Sequence, residues 1–416
     1  MNDQVKDWID AAEAARRLGV KPATLYAYVS RGVLRRRRAD DGRRSLFDPA
    51  EVAELAGRGR PRRPPGQSEL VIESAITALG PDRPYYRGRD ALDLAHTYGG
   101  APDGFERVAG WLWTGELATP DRWSADPAGL AAGYAAQSAL PADVLPLDRL
   151  QVIATALAAV DPLRFHLDSA GVVAAGQSLI AGMVDCLPPA GRPSRGAADV
   201  PPDVPAGGVA ERLWRRLCPA PPEPGLVEIV RAALILLADH ELAASTLAAR
   251  VAASVRADPY AVVAAGLGVA SGPLHGGASF GVERMLAEVR EPAQAAPVIG
   301  ERLRRGERIP GFGHTIYREG DARMGFVYGL IAAAAPGHER LAAADALLAE
   351  ARRRRLPGPN IDFATGTLAA VAGMVAGAGE AIFAVARTAG WLAHALEEYE
   401  GGPPIRLRAH YIGPAI

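Results

Sequence analysis

From residue 68 onward the apolar residues of this 416-residue chain recur at one-turn helical spacing, and that period limits the fold more than any other feature. Leu226, Ile229, Val230, Ala233, Leu234 and Leu237 fall on a single helical stripe, which has to be buried against other elements. Alternating, β-branched runs are scarce, which argues against a sheet-based nucleotide fold and for an all-α body. Residues 187–206 and 219–225 are rich in Pro and Gly and read as surface loops. The Ala-rich stretches are broken by Arg, Asp and Glu before reaching the roughly 18 apolar residues of a membrane span. The opening MNDQVKDWID lacks the apolar run of an export signal. With only Cys186 and Cys218 and a net charge of -1, these features predict a cytoplasmic protein without a disulfide framework and without overall attraction to membranes.

Residues 1–56 read as a separate small unit. Ile9, Ala12, Ala15 and Leu18 have helical spacing, and Gly19 ends that helix. Pro22 suits the first turn of a second helix, with Leu25, Tyr28 and Val29 inward and Gly32 as its stop. Arg35–Arg38 and Arg43–Phe47 flank Asp40-Asp41-Gly42 as a short hairpin, and Asp48-Pro49 caps a final helix. Residues 57–67, GRGRPRRPPGQ, read as a linker. This pattern resembles the small winged helix-turn-helix domains of the excisionase and mercury-resistance-regulator type, whose second helix enters the major groove while basic residues grip phosphates. The resemblance implies DNA as a partner and Lys21, Arg31, Arg35 and Arg43 as its contacts. Residues 1–63 carry 15 basic and 9 acidic side chains, a net +6 that leaves -7 for the rest. The competing reading is a module that only supports folding or assembly. All of the 46 basic residues except Lys6 and Lys21 are arginines, a chain-wide bias that weakens any arginine run as a signal.

The chemical signal lies in short segments around histidines and one aspartate. In Ser271-Gly-Pro-Leu-His275-Gly-Gly-Ala, small residues let a substrate approach the imidazole and the backbone. Ile309-Pro-Gly-Phe-Gly-His314 is followed by Tyr317, Arg318, Asp321 and Arg323. Two more segments are Pro359-Asn-Ile-Asp362-Phe-Ala-Thr-Gly366 and Asp239-His240-Glu-Leu-Ala-Ala-Ser-Thr-Leu-Ala-Ala-Arg250. The histidines lack the ligand spacing of a zinc site, so no metal is expected. No G-x-x-x-x-G-K-[ST] phosphate loop is present.

Taken in chain order, these segments resemble the citrate synthase family. The match extends upstream through Glu73, Tyr86-Arg87-Gly88, Phe105-Glu106-Arg107-Val108-Ala109 and Trp113-Thr-Gly-Glu-Leu117. Downstream it runs through Phe383-Ala-Val-Ala-Arg387 and Ile405-Arg406-Leu-Arg408-Ala-His-Tyr411-Ile-Gly-Pro414, so that it covers about 68–416. The resemblance implies a large helical domain of residues 68–277 and 368–416, a small one of 278–367, and an active site in the cleft between them. It also implies a homodimer, and closure of the small domain to exclude water.

The reaction so implied condenses acetyl-CoA, a co-substrate, with oxaloacetate or a related 2-oxo acid, and no bound cofactor is expected. Removing a proton from the acetyl methyl needs a base and a donor at the oxygen where enolate charge gathers. By resemblance Asp362 is the base, His275 the donor to the thioester, and His314 the group that polarises the acceptor ketone and protonates it. A dicarboxylate suits guanidinium clamps, here Arg323 and Arg387 with Arg406 from a second subunit, completed by His240. An interface salt bridge is the alternative role for Arg387 and Arg406. CoA is expected along Ile309, Gly311, Gly313 and Asn360, with Arg318 at its phosphates. Arg352–Arg355 is either a further phosphate contact or a solvated charged face.

Three departures from the family pattern stand out. Ala243 occupies the place of an Asn after His240, Ser279-Phe280 that of Asn-Glu, and Ala322 that of a Pro. The first removes an amide donor beside the acceptor and leaves the 2-oxo acid open, methylcitrate formation from propionyl-CoA included. A reading from another class is a transcription regulator whose synthase-like half senses CoA esters; an intact catalytic set opposes it.

Overall fold

Ile9, expected on the first helix, lies on a two-residue strand in the computed structural model of the chain. β1 (Ile9–Asp10), β2 (Arg37–Arg38) and β3 (Ser45–Phe47) form an antiparallel sheet in the order β1-β3-β2, with Ile9 opposite Phe47. Strand pairing wins because it brings Ile9 onto the buried cluster of Ala14, Leu25, Leu34, Phe47 and Val52. Asp10 Oδ1 accepts the Glu13 amide at 2.8 Å and so starts α1 (Ala11–Leu18). Pro22 opens α2 (Pro22–Ser30), and Asp48 caps α3 (Pro49–Arg58) by accepting the Ala50 amide at 2.9 Å. The structure describes residues 8–18, 20, 22–30, 34–39, 44–58, 72–190, 206–317, 320–409, 411 and 413. The turn expected at 40–42 lies outside them. The chain divides into two units, Met1–Ile72 and Glu73–Ile416.

The second unit opens with a meander that the sequence did not reveal: β4 (Thr77–Leu79), β5 (Pro84–Tyr86) and β6 (Arg89–Asp90), antiparallel in that order. Strands of two or three residues are too short to show alternation. Arg87 at φ 45° and Gly88 at φ 81° turn the chain sharply between β5 and β6, and Tyr86 points into the core. The α-helices among the unit's described residues are α4 (Ala91–Tyr98), α5 (Gly104–Thr114), α6 (Pro127–Gln137), α7 (Pro146–Val160), α8 (Ser169–Cys186), α9 (Val209–Leu217), α10 (Pro224–Leu237), α11 (Ala244–Ser254), α12 (Pro259–Ala270), α13 (Ala278–Glu288), α14 (Ala295–Arg304), α15 (Ala322–Ala334), α16 (Glu339–Arg353), α17 (Ile361–Ala372) and α18 (Ala378–Glu400).

Local chemistry sets these boundaries. The side chains of Asp90, Asp126, Asp168, Asp258, Asp321 and Asn360 accept the first amides of their helices. Proline occupies the first turn of α6, α7, α10 and α12. α18 is the buried axis of the unit and packs on α5, α7, α8, α10, α11, α12, α13 and α17. α12 reaches it closely because Gly266 leaves room for the indole of Trp391, which a Cβ there would meet at 2.5 Å. α8 is apolar enough in length and composition to cross a membrane, yet it packs on α6, α7, α9 and α18 as a core helix.

Candidate active site

Six of the polar side chains singled out in the sequence line one cavity of about 1100 Å³. His240 comes from the turn between α10 and α11, and His275 from the turn between α12 and α13. His314 lies on the loop before α15, Arg323 and Asp362 in the first turns of α15 and α17, and Arg387 on α18. Ile309, Gly311, Gly313 and Asn360 line the same cavity.

Hydrogen bonds orient the His275 and His314 imidazoles, and for His314 they fix which nitrogen carries the proton. His314 Nδ1 accepts the amides of Ile316 and Tyr317, both at 3.1 Å, so the neutral ring keeps its proton on Nε2. The Tyr317 ring stacks on it with centroids 4.5 Å apart. Burial, and then the Arg323 guanidinium, hold His314 below its ordinary pKa. His275 Nε2 lies 2.7 Å from Ser245 Oγ, which accepts the Trp391 indole N–H at 3.2 Å. Indole can only donate, so the Ser245 hydroxyl proton is free to point at His275, an arrangement in which Nδ1–H is the imidazole donor. Burial pushes the His275 pKa down to about 4, so the ring is neutral at physiological pH.

Asp362 is the opposite case. The Asn360 side chain accepts its amide at 3.0 Å and seats it at the start of α17, but its carboxylate has no hydrogen-bond partner among the described residues. A helix start favours the ionised form. Burial outweighs that and the attraction of Arg323 and Arg387, raising the Asp362 pKa to about 7. Such a carboxyl is poised to take up a proton near neutral pH.

Around these groups, Arg323 makes a fork with Asp321, Nε and Nη2 each at 2.9 Å, and Asp321 also accepts the Ile361 amide at 2.9 Å. Arg387 gives Nε to the Leu237 carbonyl at 2.9 Å, and its terminal nitrogens have no partner among the described residues. Burial, then Arg323 and Arg387, keep His240 neutral, and its Nε2 has no hydrogen-bond partner among the described residues. The loop of His314 is stitched to the approach of α17. Gly313 N donates to Gly358 O at 2.7 Å, Asn360 N to Gly311 O at 2.9 Å and Asn360 Nδ2 to Gly313 O at 2.8 Å. Gly311, at φ 76°, admits no Cβ, which would lie 2.7 Å from Val282.

Other expectations fall elsewhere. Arg406 sits exposed on the tail behind α18 and does not line the cavity. Arg318, Lys21, Arg31 and Arg43 lie outside the described residues. Arg35 is tied to Glu51 of α3. Arg353 and Arg354 both close on Glu350, which draws half of the Arg352–Arg355 run into pairs within its own helix. Sequence reasoning passed over Ser245 and Trp391, which orient His275, and Arg308, which lines the cavity directly before Ile309. Arg308 adjoins a quoted motif and could have been found; Trp391 carries no local signal. No group of three or more His, Cys, Asp or Glu among the described residues is arranged to hold a metal.

The family model for the citrate synthase C-terminal domain matches residues 67–408, and one for a helix-turn-helix domain matches residues 8–60. Citrate synthase 2 of Bacillus subtilis is 38% identical over 213 residues, a stretch spanning 50% of this chain and 56% of that protein. The 2-methylcitrate synthase of Mycobacterium tuberculosis is 31% identical over 369 residues, 85% of this chain and 91% of that protein. The crystal structure of citrate synthase from Thermotoga maritima superposes with a TM-score of 0.66 at 25% identity, covering 84% of this chain and 96% of that one.

Proposed function

The chain belongs to the citrate synthase family, and from that premise we propose that its cavity condenses acetyl-CoA with oxaloacetate to give citrate and CoA. Asp362 takes a proton from the acetyl methyl while His275 Nδ1–H donates to the thioester oxygen, where enolate charge develops. The enol carbon attacks the ketone of oxaloacetate, and His314 Nε2–H passes its proton to the new alkoxide. Water then cleaves the thioester and releases CoA. Arg323 and Arg387 take the carboxylates of the acceptor, with His240 beside them. CoA follows the backbone of Ile309–Gly313, with Arg308 and Arg318 at its phosphates.

The observation that carries this reading is the convergence on one cavity of Asp362, whose burial raises its carboxyl toward neutrality, with His275 and His314, whose burial keeps them neutral. Thiol release from acetyl-CoA and oxaloacetate tests it; purified protein that liberates no CoA refutes it. Propionyl-CoA in the same assay separates citrate from 2-methylcitrate formation.

The working form is a homodimer. Leu247 and Val251 of α11, with Val255 at its C-cap, form an exposed apolar stripe at one-turn spacing, which a second copy would cover. Arg406, absent from the cavity of its own chain, then reaches the partner's acceptor. The large domain comprises 68–277 and 368–416 and the small domain 278–367, which closes over the substrates. DNA is a second partner, a reading favoured by the helix-turn-helix match and the +6 charge of residues 1–63. Retardation of duplex DNA that weakens steeply with salt supports it; no retardation at low salt refutes it.

A further inference from the structure

Glu241 directly follows His240 and adopts φ 54°. Of the four non-glycine residues with positive φ among those described, it alone lines the cavity. A left-handed glutamate is strained and persists only where its surroundings hold it. The nearest restraint is Asp239, fully buried, whose Oδ2 accepts the Glu241 amide at 3.2 Å. The same oxygen lies 3.2 Å from His394 Nε2, and His394 Nδ1 lies 2.8 Å from Arg250 Nη1. A guanidinium can only donate, so Nδ1 must accept, and the imidazole proton resides on Nε2, pointing at Asp239. Arg250 is itself held by Glu398 at Nε (2.6 Å) and by Glu397 at Nη1 (2.7 Å). Gly390 gives Asp239 its place, since a Cβ there would meet Asp239 Oδ1 at 2.3 Å.

We propose that His394 is a positioning residue for the acceptor site. Oriented by Arg250, it holds the Asp239 carboxylate on the Glu241 amide and so maintains the strained turn that presents His240. The proposal rests on the acceptor role given to His240 above. His394 does not line the cavity. Its effect belongs to oxaloacetate rather than to acetyl-CoA, because the turn carries His240 while the groups assigned to the acetyl unit, His275 and Asp362, stand on other elements.

The test compares His394→Gln, which keeps an amide donor near Nε2, with His394→Asn, whose shorter side chain withdraws it from Asp239. Losing this hydrogen bond to a charged group should raise the oxaloacetate KM of His394→Asn about tenfold or more, with the acetyl-CoA KM within about twofold. His394→Gln should recover most of the loss. Adding Glu241→Gly to His394→Asn removes the strain and should lower the oxaloacetate KM again. Gly390→Ala, whose Cβ would meet both Asp239 Oδ1 at 2.3 Å and the Ala238 carbonyl at 2.4 Å, displaces the same turn and should also raise the oxaloacetate KM, which covers the case that His394→Asn does not fold. Equal rises in both KM values, or identical behaviour of the Gln and Asn variants, would overturn the proposal. Hydrogen exchange at the Glu241 amide gives a readout independent of activity: about tenfold faster in His394→Asn is expected, and no change refutes the restraint. Wild-type protein that neither releases CoA nor binds oxaloacetate sinks the condensing-enzyme reading alone and leaves the exchange rate to decide this one.

Discussion

Replacing Asp362 with Asn should make the protein more stable and nearly inactive, and the gain in stability should depend on pH in a defined sense. Burial raises the carboxyl from its ordinary 3.8 to about 7, so the folded state holds a proton that the unfolded chain has already released between those values. The stability contributed by that proton is complete below about pH 4 and is lost as pH rises through about 7. Converting the raised pKa to free energy gives a ceiling of about 4 kcal/mol for the cost of keeping the buried carboxylate ionised above neutral pH. An amide has the shape of the protonated acid without that cost. For a unit of this size the ceiling corresponds to about 5 °C in melting temperature. Melting curves from pH 5 to 8.5 should therefore diverge in favour of Asp362→Asn with rising pH and run parallel above about 7.5. Thiol release should fall by about a thousandfold, within the usual contribution of a general base. In the wild type, the acidic limb of kcat/KM for acetyl-CoA should break near pH 7 rather than near 4. An Asp362→Asn protein that melts at or below the wild-type temperature at pH 8 refutes the desolvation argument.

Ser245→Ala removes the hydroxyl that orients His275 and leaves the Trp391 N–H unpaired; kcat should fall about tenfold to a hundredfold in thiol release, with melting lowered by a few degrees. The buried hydroxyl of Tyr317 has no hydrogen-bond partner among the described residues, so Tyr317→Phe should keep its activity, while Tyr317→Leu loses the ring stacked on His314 and should slow turnover at least about tenfold. Arg387→Lys keeps the charge but gives up the planar pair of nitrogens; the oxaloacetate KM should rise about tenfold with the acetyl-CoA KM little changed. Val251→Asp on the exposed stripe of α11 should shift the sedimenting species toward monomer and, if Arg406 crosses between copies, abolish thiol release.

Much of the architecture can be read from the one-dimensional pattern, because helix starts are local chemistry. An aspartate or an N-terminal proline marks where α6, α10 and α12 begin without reference to the rest of the chain. The short strands of β4–β6 were illegible for the opposite reason: their pairing is decided by partners across the sheet, and three residues carry no period. Ile9 was misassigned because its helical spacing is real, yet Phe47, almost forty positions away, offers it a buried strand partner. The site divides in the same way. His240, His275, His314, Arg323, Asp362 and Arg387 sit in recognisable segments, but no segment tells which distant side chain orients which imidazole. Ser245 acts on His275 thirty positions later, and His394 on Asp239 at a separation of 155. Tyr86 was noted only as part of a motif; folded, its hydroxyl meets the carbonyls of Ile235, Leu236 and Asp239 where α10 ends.

The stitching between the His314 loop and the start of α17 has a mechanical consequence. Asn360 and Asp321 bind the segments carrying His314, Arg323 and Asp362 into one frame, while His240, His275 and Arg387 hang from α10, α11, α12 and α18. Neither frame owns a complete reaction. On the proposed mechanism the proton acceptor for the methyl belongs to one and the donor to its carbonyl to the other; the ketone is divided in the same way. Idle chemistry is thereby disfavoured by construction, since a thioester lying against a single frame finds either a base or an electrophile, but not both.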